Sequence, residues 1–103
     1  MTILLLDGDT LPALAITRSL GSRGIPVVVA SHQQNPIAGY SRYASSILDY
    51  PNPLLAPDDF VRWLEDQLTD HQYQLVIPAT ERTLVPIARH FHNSSHYNRI
   101  AAP

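Results

Sequence analysis

The chain has 103 residues, with 7 Lys or Arg against 9 Asp or Glu, a formal charge of −2 and no cysteine. That length fits one domain with a single core, and the missing cysteines exclude a disulfide framework, a thiolate nucleophile and a thiolate zinc site. The faintly acidic balance, with no cluster of arginines on any predicted face, argues against a nucleic-acid partner. No apolar run approaches the roughly 18 residues of a membrane span. Ile3-Leu4-Leu5-Leu6 follows no basic region and is too short for a signal peptide, so a soluble, cytoplasmic domain is expected.

Taken in order, residues 2–6 read as a strand whose unbroken apolar character suits a central position buried on both faces. Asp7-Gly8-Asp9-Thr10 is a polar turn, in which Gly8 supplies backbone freedom. A helix over Leu11 to Arg23 follows, with Pro12 in its first turn, Asp9 or Thr10 as cap and Ala13, Ile16 and Leu20 as its inward stripe. Gly21 allows close approach and Gly24 stops the helix. Pro26 opens a second strand, Val27 to Ala30. Residues 31–43 form a connection too long for a turn and too short for a full helix, the kind that is more often functional than decorative. A third strand is predicted over Ser46 to Tyr50. Pro57 then begins a helix with Asp58 and Asp59 in its first turn and Phe60 or Val61, Leu64 and Leu68 facing inward. Gln74 to Ile77 is a fourth strand, and Glu81 to His92 a helix that Pro86 should kink or delay to about Val85. Arg99 to Ala102 reads as a short fifth strand.

Alternating strands and helices of this kind define an α/β class. The expectation is a three-layer, Rossmann-like, doubly wound parallel sheet of about five strands in order 3-2-1-4-5. Ligands of such sheets sit outside the carboxyl ends of the strands, at the switch point, so three segments carry the chemistry. The Asp7–Thr10 turn could hold a ligand on backbone N–H groups and the following helix N-terminus, although its two aspartates repel a phosphate. The bland reading is a capped turn. Ser41-Arg42-Tyr43 offers a guanidinium suited to a carboxylate or phosphate, or else a surface arginine pairing with Asp7 or Asp9. In Pro78-Ala79-Thr80-Glu81-Arg82, Thr80 could cap the next helix and Glu81 could bind an amine. The dinucleotide fingerprint G-x-G-x-x-G is absent. His90, His92 and His96 lack the acidic partner and continuous helix of an H-E-x-x-H zinc site, so no metal site and no catalytic residue is assigned.

Two enzyme-like patterns are near misses. Asp7-Gly8-Asp9-Thr10-Leu11 approaches the D-x-D-G-T of haloacid-dehalogenase-type phosphatases but lacks the Gly between the second Asp and the Thr. Asp7, Asp9, Asp49 and Thr80 match the layout of a receiver domain. Both families need a lysine, and this chain has none.

The run Leu14-Ala15-Ile16-Thr17-Arg18-Ser19-Leu20-Gly21 into Gly24-Ile25-Pro26-Val27, then Ser41-Arg42-Tyr43, Pro51-Asn52-Pro53, Val76-Ile77-Pro78-Ala79-Thr80-Glu81 and Arg99-Ile100-Ala101-Ala102-Pro103, resembles the N-terminal, pre-ATP-grasp domain of ATP-grasp carboxylate–amine ligases. The resemblance spans nearly the whole chain and rests on order and spacing. It implies a single domain over residues 1–103, a fragment of a longer ligase whose missing ATP-grasp module holds ATP and Mg, with no cofactor in the fragment itself. It further implies that Gly8, Asp9, Thr10, Thr80 and Glu81 face a small-molecule substrate cleft, with Arg42 on the Ser-Arg-Tyr element. The partners implied are that module and the substrate, with no nucleic acid and no membrane; a homodimer is compatible with this. The alternative from another class is a standalone receiver-like or small-ligand-binding regulatory module. If the module is missing, Ile37, Tyr40 or Tyr43 should be left without an internal partner.

Overall fold

The computed structural model describes residues 2–92 and 94–101. Strands β1 (Ile3–Leu5), β2 (Val27–Ser31), β3 (Ala44–Asp49) and β4 (Leu75–Ile77) form one parallel sheet in the order β3-β2-β1-β4. Register is set on both sides of β1, with Leu4 opposite Val28 and Val76. Helices α1 (Leu11–Gly21), α2 (Pro57–Asp70) and α3 (Glu81–Phe91) complete three layers. Strand alternation sends Leu4, Leu6, Val28 and Ala30 to one face, where they meet Phe60, Leu64, Ile87 and Phe91 of α2 and α3. Leu5, Val27 and Val29 go to the other, where Ala13 of α1 and Ala38 cover them. Burial of each large side chain in these cores contributes about 1.5–3 kcal/mol.

The central strands are apolar, Ser31 at the end of β2 excepted, because helices cover both faces, whereas β3, at the sheet edge, exposes Ser45, Ser46, Ile47 and Asp49. The 32–43 connection holds a 3-10 turn at Ile37–Tyr40. It leaves β2 at the carboxyl end of the sheet and enters β3 at the opposite end, as a parallel neighbour requires. The sheet order also separates this chain from receiver domains, whose order 2-1-3-4-5 places the third strand beside the first.

Several boundary expectations change, and β3, expected over Ser46 to Tyr50, runs over Ala44–Asp49. Helix α1 ends at Gly21 rather than Arg23, and Gly24, at φ +77°, closes the turn after it. Helix α3 runs from Glu81 through Pro86 to Phe91, so it does not start late near Val85. The missing Pro86 N–H removes one hydrogen bond, but Thr83, Ile87 and Phe91 stay buried along the helix and hold it. At the position predicted for a fifth strand, Ile100 makes one isolated parallel bridge to Val76, and the Ala101 N–H donates to the Val76 carbonyl at 2.8 Å. The last residue of that segment, Ala102, lies outside the described residues.

Candidate functional site

The chain winds outward from β1 through β2 to β3, then returns to place β4 on the other side of β1. The switch point therefore falls between β1 and β4, where the turn after each strand meets the other. Asp7 follows β1 with φ +60°, a left-handed conformation that Asp tolerates better than most side chains. That conformation aims a fully buried carboxylate at the start of α3. Its Oδ2 accepts the Thr80 N–H at 2.9 Å and the Thr83 hydroxyl at 2.6 Å. Its Oδ1 accepts Nε and Nη2 of Arg82 at 3.2 and 3.1 Å.

Arg82 is shared. Its Nη2 also donates to both oxygens of Asp9, at 2.8 and 3.0 Å, and Asp9 Oδ1 takes a further bond from the Ser31 hydroxyl at 2.9 Å. Behind them the Asp7 N–H donates to the Tyr50 hydroxyl at 3.0 Å. Two carboxylates and one guanidinium leave this cluster with one net negative charge. Burial pushes the Asp9 carboxyl up, but the hydrogen bonds from Arg82 and Ser31 outweigh it and hold the group below its ordinary value. Burial works against the charged Arg82 in the same way, and the bonds to Asp9 and Asp7 reverse it. The Tyr50 hydroxyl is raised, first by burial and then by the charge of Asp7.

The six residues singled out from the sequence divide by what they touch. Gly8 is buried; its N–H donates to Ala30 and its carbonyl accepts from Ala38, both at 2.9 Å. The positive φ of the turn belongs to Asp7, not Gly8. What Gly8 supplies is space, since a Cβ there would lie 2.5 Å from Val29 Cγ1 and 3.1 Å from the Ala30 carbonyl oxygen. Thr10 caps α1 and bonds the Asp7 carbonyl at 2.7 Å. Thr80 caps α3 and faces Asp7 across the switch point. Asp9 is held by Arg82 and Ser31, while Glu81 is exposed in the first turn of α3. These five come together. Arg42 does not: it lies just before β3, at the opposite end of the sheet, stacked on Tyr43 with Nη2 donating to the Tyr43 hydroxyl at 2.8 Å.

Arg82, Thr83, Ser31 and Tyr50 complete the cluster and were not singled out from the sequence. Arg82 carries a readable signal, because two carboxylates in a buried turn need a counter-charge and it is the cation nearest the end of β4. Tyr50 carries none, being one residue past an edge strand. Among the described residues, no three His, Cys, Asp or Glu side chains are grouped to hold a metal ion. His90 instead pairs with Glu65 at 3.2 Å, and His96 Nδ1 contacts Arg99 at 2.6 Å.

Fold and site together define a doubly wound parallel α/β domain whose switch point is closed by its own charge cluster. Comparison of the chain with protein-family models, with curated proteins and with solved structures gave no match. Among the described residues, no helix is long and apolar enough to cross a membrane.

Proposed function

We propose that this domain is the N-terminal, substrate-side domain of a cytoplasmic ATP-dependent carboxylate–amine ligase of the ATP-grasp type, and that it is catalytically incomplete by itself. The observation that carries this reading is the character of the strand-end face. The charged groups at its centre are spent on one another, and apolar side chains stand uncovered around it. Leu11 follows the first turn at 70% exposure, and Leu54 and Leu55, between β3 and α2, are 71% and 84% exposed. Tyr40, on the 3-10 turn bonded to Gly8 through Ala38, is 72% exposed, with Ile37 beside it. A face built this way suits the docking of another module better than chemistry of its own.

In that parent, ATP and Mg are held by the docked module, and the substrate carboxylate is activated as an acyl phosphate. The amine attacks the acyl carbon and phosphate leaves. This domain forms one wall of the acceptor pocket. Glu81, exposed and without an ion-pair partner among the described residues, meets the amine, and the Asp7–Arg82–Asp9 cluster fixes the backbone beneath it. The segment after α3 adds the fifth strand beside β4.

Calorimetry of the isolated chain with Mg-ATP should give no binding heat, because the nucleotide site lies in the module. Micromolar binding overturns the reading. In a polypeptide carrying the chain fused to its ATP-grasp module, sustained turnover of ATP to ADP should require both a carboxylate and an amine, and Glu81→Gln should raise KM for the amine more than it lowers kcat. The second reading, a small-ligand-binding module, is favoured by one feature, the groove between α2 and α3.

A further inference from the structure

Helices α2 and α3 both start at the carboxyl end of the sheet and run side by side across it, leaving between them a groove of about 710 Å³. Its walls are apolar, built from Val61 of α2, Val85 and Pro86 of α3, and Leu54 from the loop before α2. Its charges are sorted by position. Asp58 and Glu81 lie in the first turns of their helices, and Arg89 lies two turns further along α3, beside His90, which pairs with Glu65. None of Asp58, Glu81 and Arg89 has an ion-pair partner among the described residues. Arg82, next to Glu81, adds no net positive charge, since two aspartates already surround it.

Eight helical residues from Glu81 to Arg89 separate the charged ends by about 12 Å. An extended tripeptide reaches about 10 Å, and the arginine side chain covers the remainder. A single amino acid is too short to meet both ends, and a ligand with only one charge leaves one end unanswered.

We propose that the α2–α3 groove binds a short apolar peptide with free termini, its ammonium against Asp58 and Glu81 and its carboxylate against Arg89. The peptide side chains lie on Val61, Val85 and Pro86. This site lies on the flank of the domain rather than in the β1–β4 switch point; it shares Glu81 and Leu54 with the face proposed to dock a ligase module, so it belongs to the isolated chain.

The test is an NMR titration of the 103-residue chain with trileucine, N-acetyl-trileucine and trileucine amide at physiological salt. Amide shifts should be confined to α2 and α3 around Val61, Val85 and Arg89. Removing either terminal charge should weaken binding about fivefold, the size of one solvent-exposed ion pair. Arg89→Gln and Glu81→Gln alter exposed side chains and leave the core intact. The first should abolish the penalty for amidation and keep that for acetylation, and the second should reduce the penalty for acetylation alone. No shifts at millimolar peptide, shifts away from the groove, or equal affinity for all three peptides would each overturn the proposal.

Discussion

Asp7 and Arg82 are 75 residues apart and meet at a two-point contact, with Nε and Nη2 of the guanidinium at 3.2 and 3.1 Å from one carboxylate oxygen. The contact ties the turn after β1 to the first turn of α3, so the two strand ends that flank the switch point are locked together by charge. A carboxylate at 0% exposure with four donors on it has exchanged water for protein donors. It is stable only while those donors stay.

Replacing Asp7 should therefore be among the costliest single changes in the chain. Asp7→Ala removes the acceptor of four bonds and leaves Arg82 with Asp9 alone, at an expected cost of about 3–5 kcal/mol. Asp7→Asn keeps the side-chain shape and the tolerance of positive φ, so it should cost less, about 1.5–3 kcal/mol for the lost charge assistance. Urea denaturation of the two variants measures both. Equal midpoints for wild type and Asp7→Ala would show that the network contributes nothing.

The acid limb of stability should depend on Asp9. Its folded value lies below the ordinary aspartate value of 3.8, so its contribution is complete above that pH and is lost as pH falls below it through the folded value. Asp9→Asn should flatten stability against pH in that acid window and leave the neutral region with the same slope. Urea midpoints collected from neutral pH down into the acid range give the comparison, and an unchanged acid slope would assign the limb to other carboxylates.

Tyr50→Phe deletes the acceptor of the buried Asp7 N–H while keeping the ring packed on Phe60 and Trp63. An unsatisfied buried donor costs about 1–3 kcal/mol, and the loss should appear as a lower melting temperature. Because the folded hydroxyl is raised, its contribution is complete below the ordinary value of about 10 and fades as pH climbs above it. The variant should accordingly lose less stability than wild type between neutral and strongly alkaline pH.

Gly8→Ala tests close approach rather than backbone freedom. The added methyl meets Val29 Cγ1 and the Ala30 backbone oxygen, and the second cannot rotate away, so a cost of about 1–3 kcal/mol is expected. Gly24→Ala meets no atom within 4 Å and bears only the strain of φ +77°, about 1–2 kcal/mol. The distinguishing measurement is a crystal structure or NMR spectrum of the Gly8 variant, in which the Asp7 turn and β2 should move apart while the Gly24 variant leaves both in place.

The sequence by itself determined the elements and their order. Apolar runs marked β1 and β2, helical stripes marked α1 and α2, and the caps were legible as Asp9 or Thr10 and as Thr80, because capping is settled within a few residues. The alternation of strand and helix was enough to imply the parallel sheet and to set the turns after β1 and β4 face to face. Arg42 was legible in principle, since a connection between parallel neighbours must end at the far edge of the sheet. Only the tertiary structure decided what the switch point contains. That Asp7 adopts positive φ, that Arg82 rather than Arg42 answers the two aspartates, and that Tyr50 turns in to accept the Asp7 N–H all depend on groups far apart in sequence. Their pairing is worth forming only once the strands have excluded water around it. Pro86 follows the same rule. Local chemistry predicts a kink or a start delayed to about Val85, and the burial of Thr83, Ile87 and Phe91 carries the helix from Glu81 across the proline, because packing along a whole helix outweighs one missing hydrogen bond.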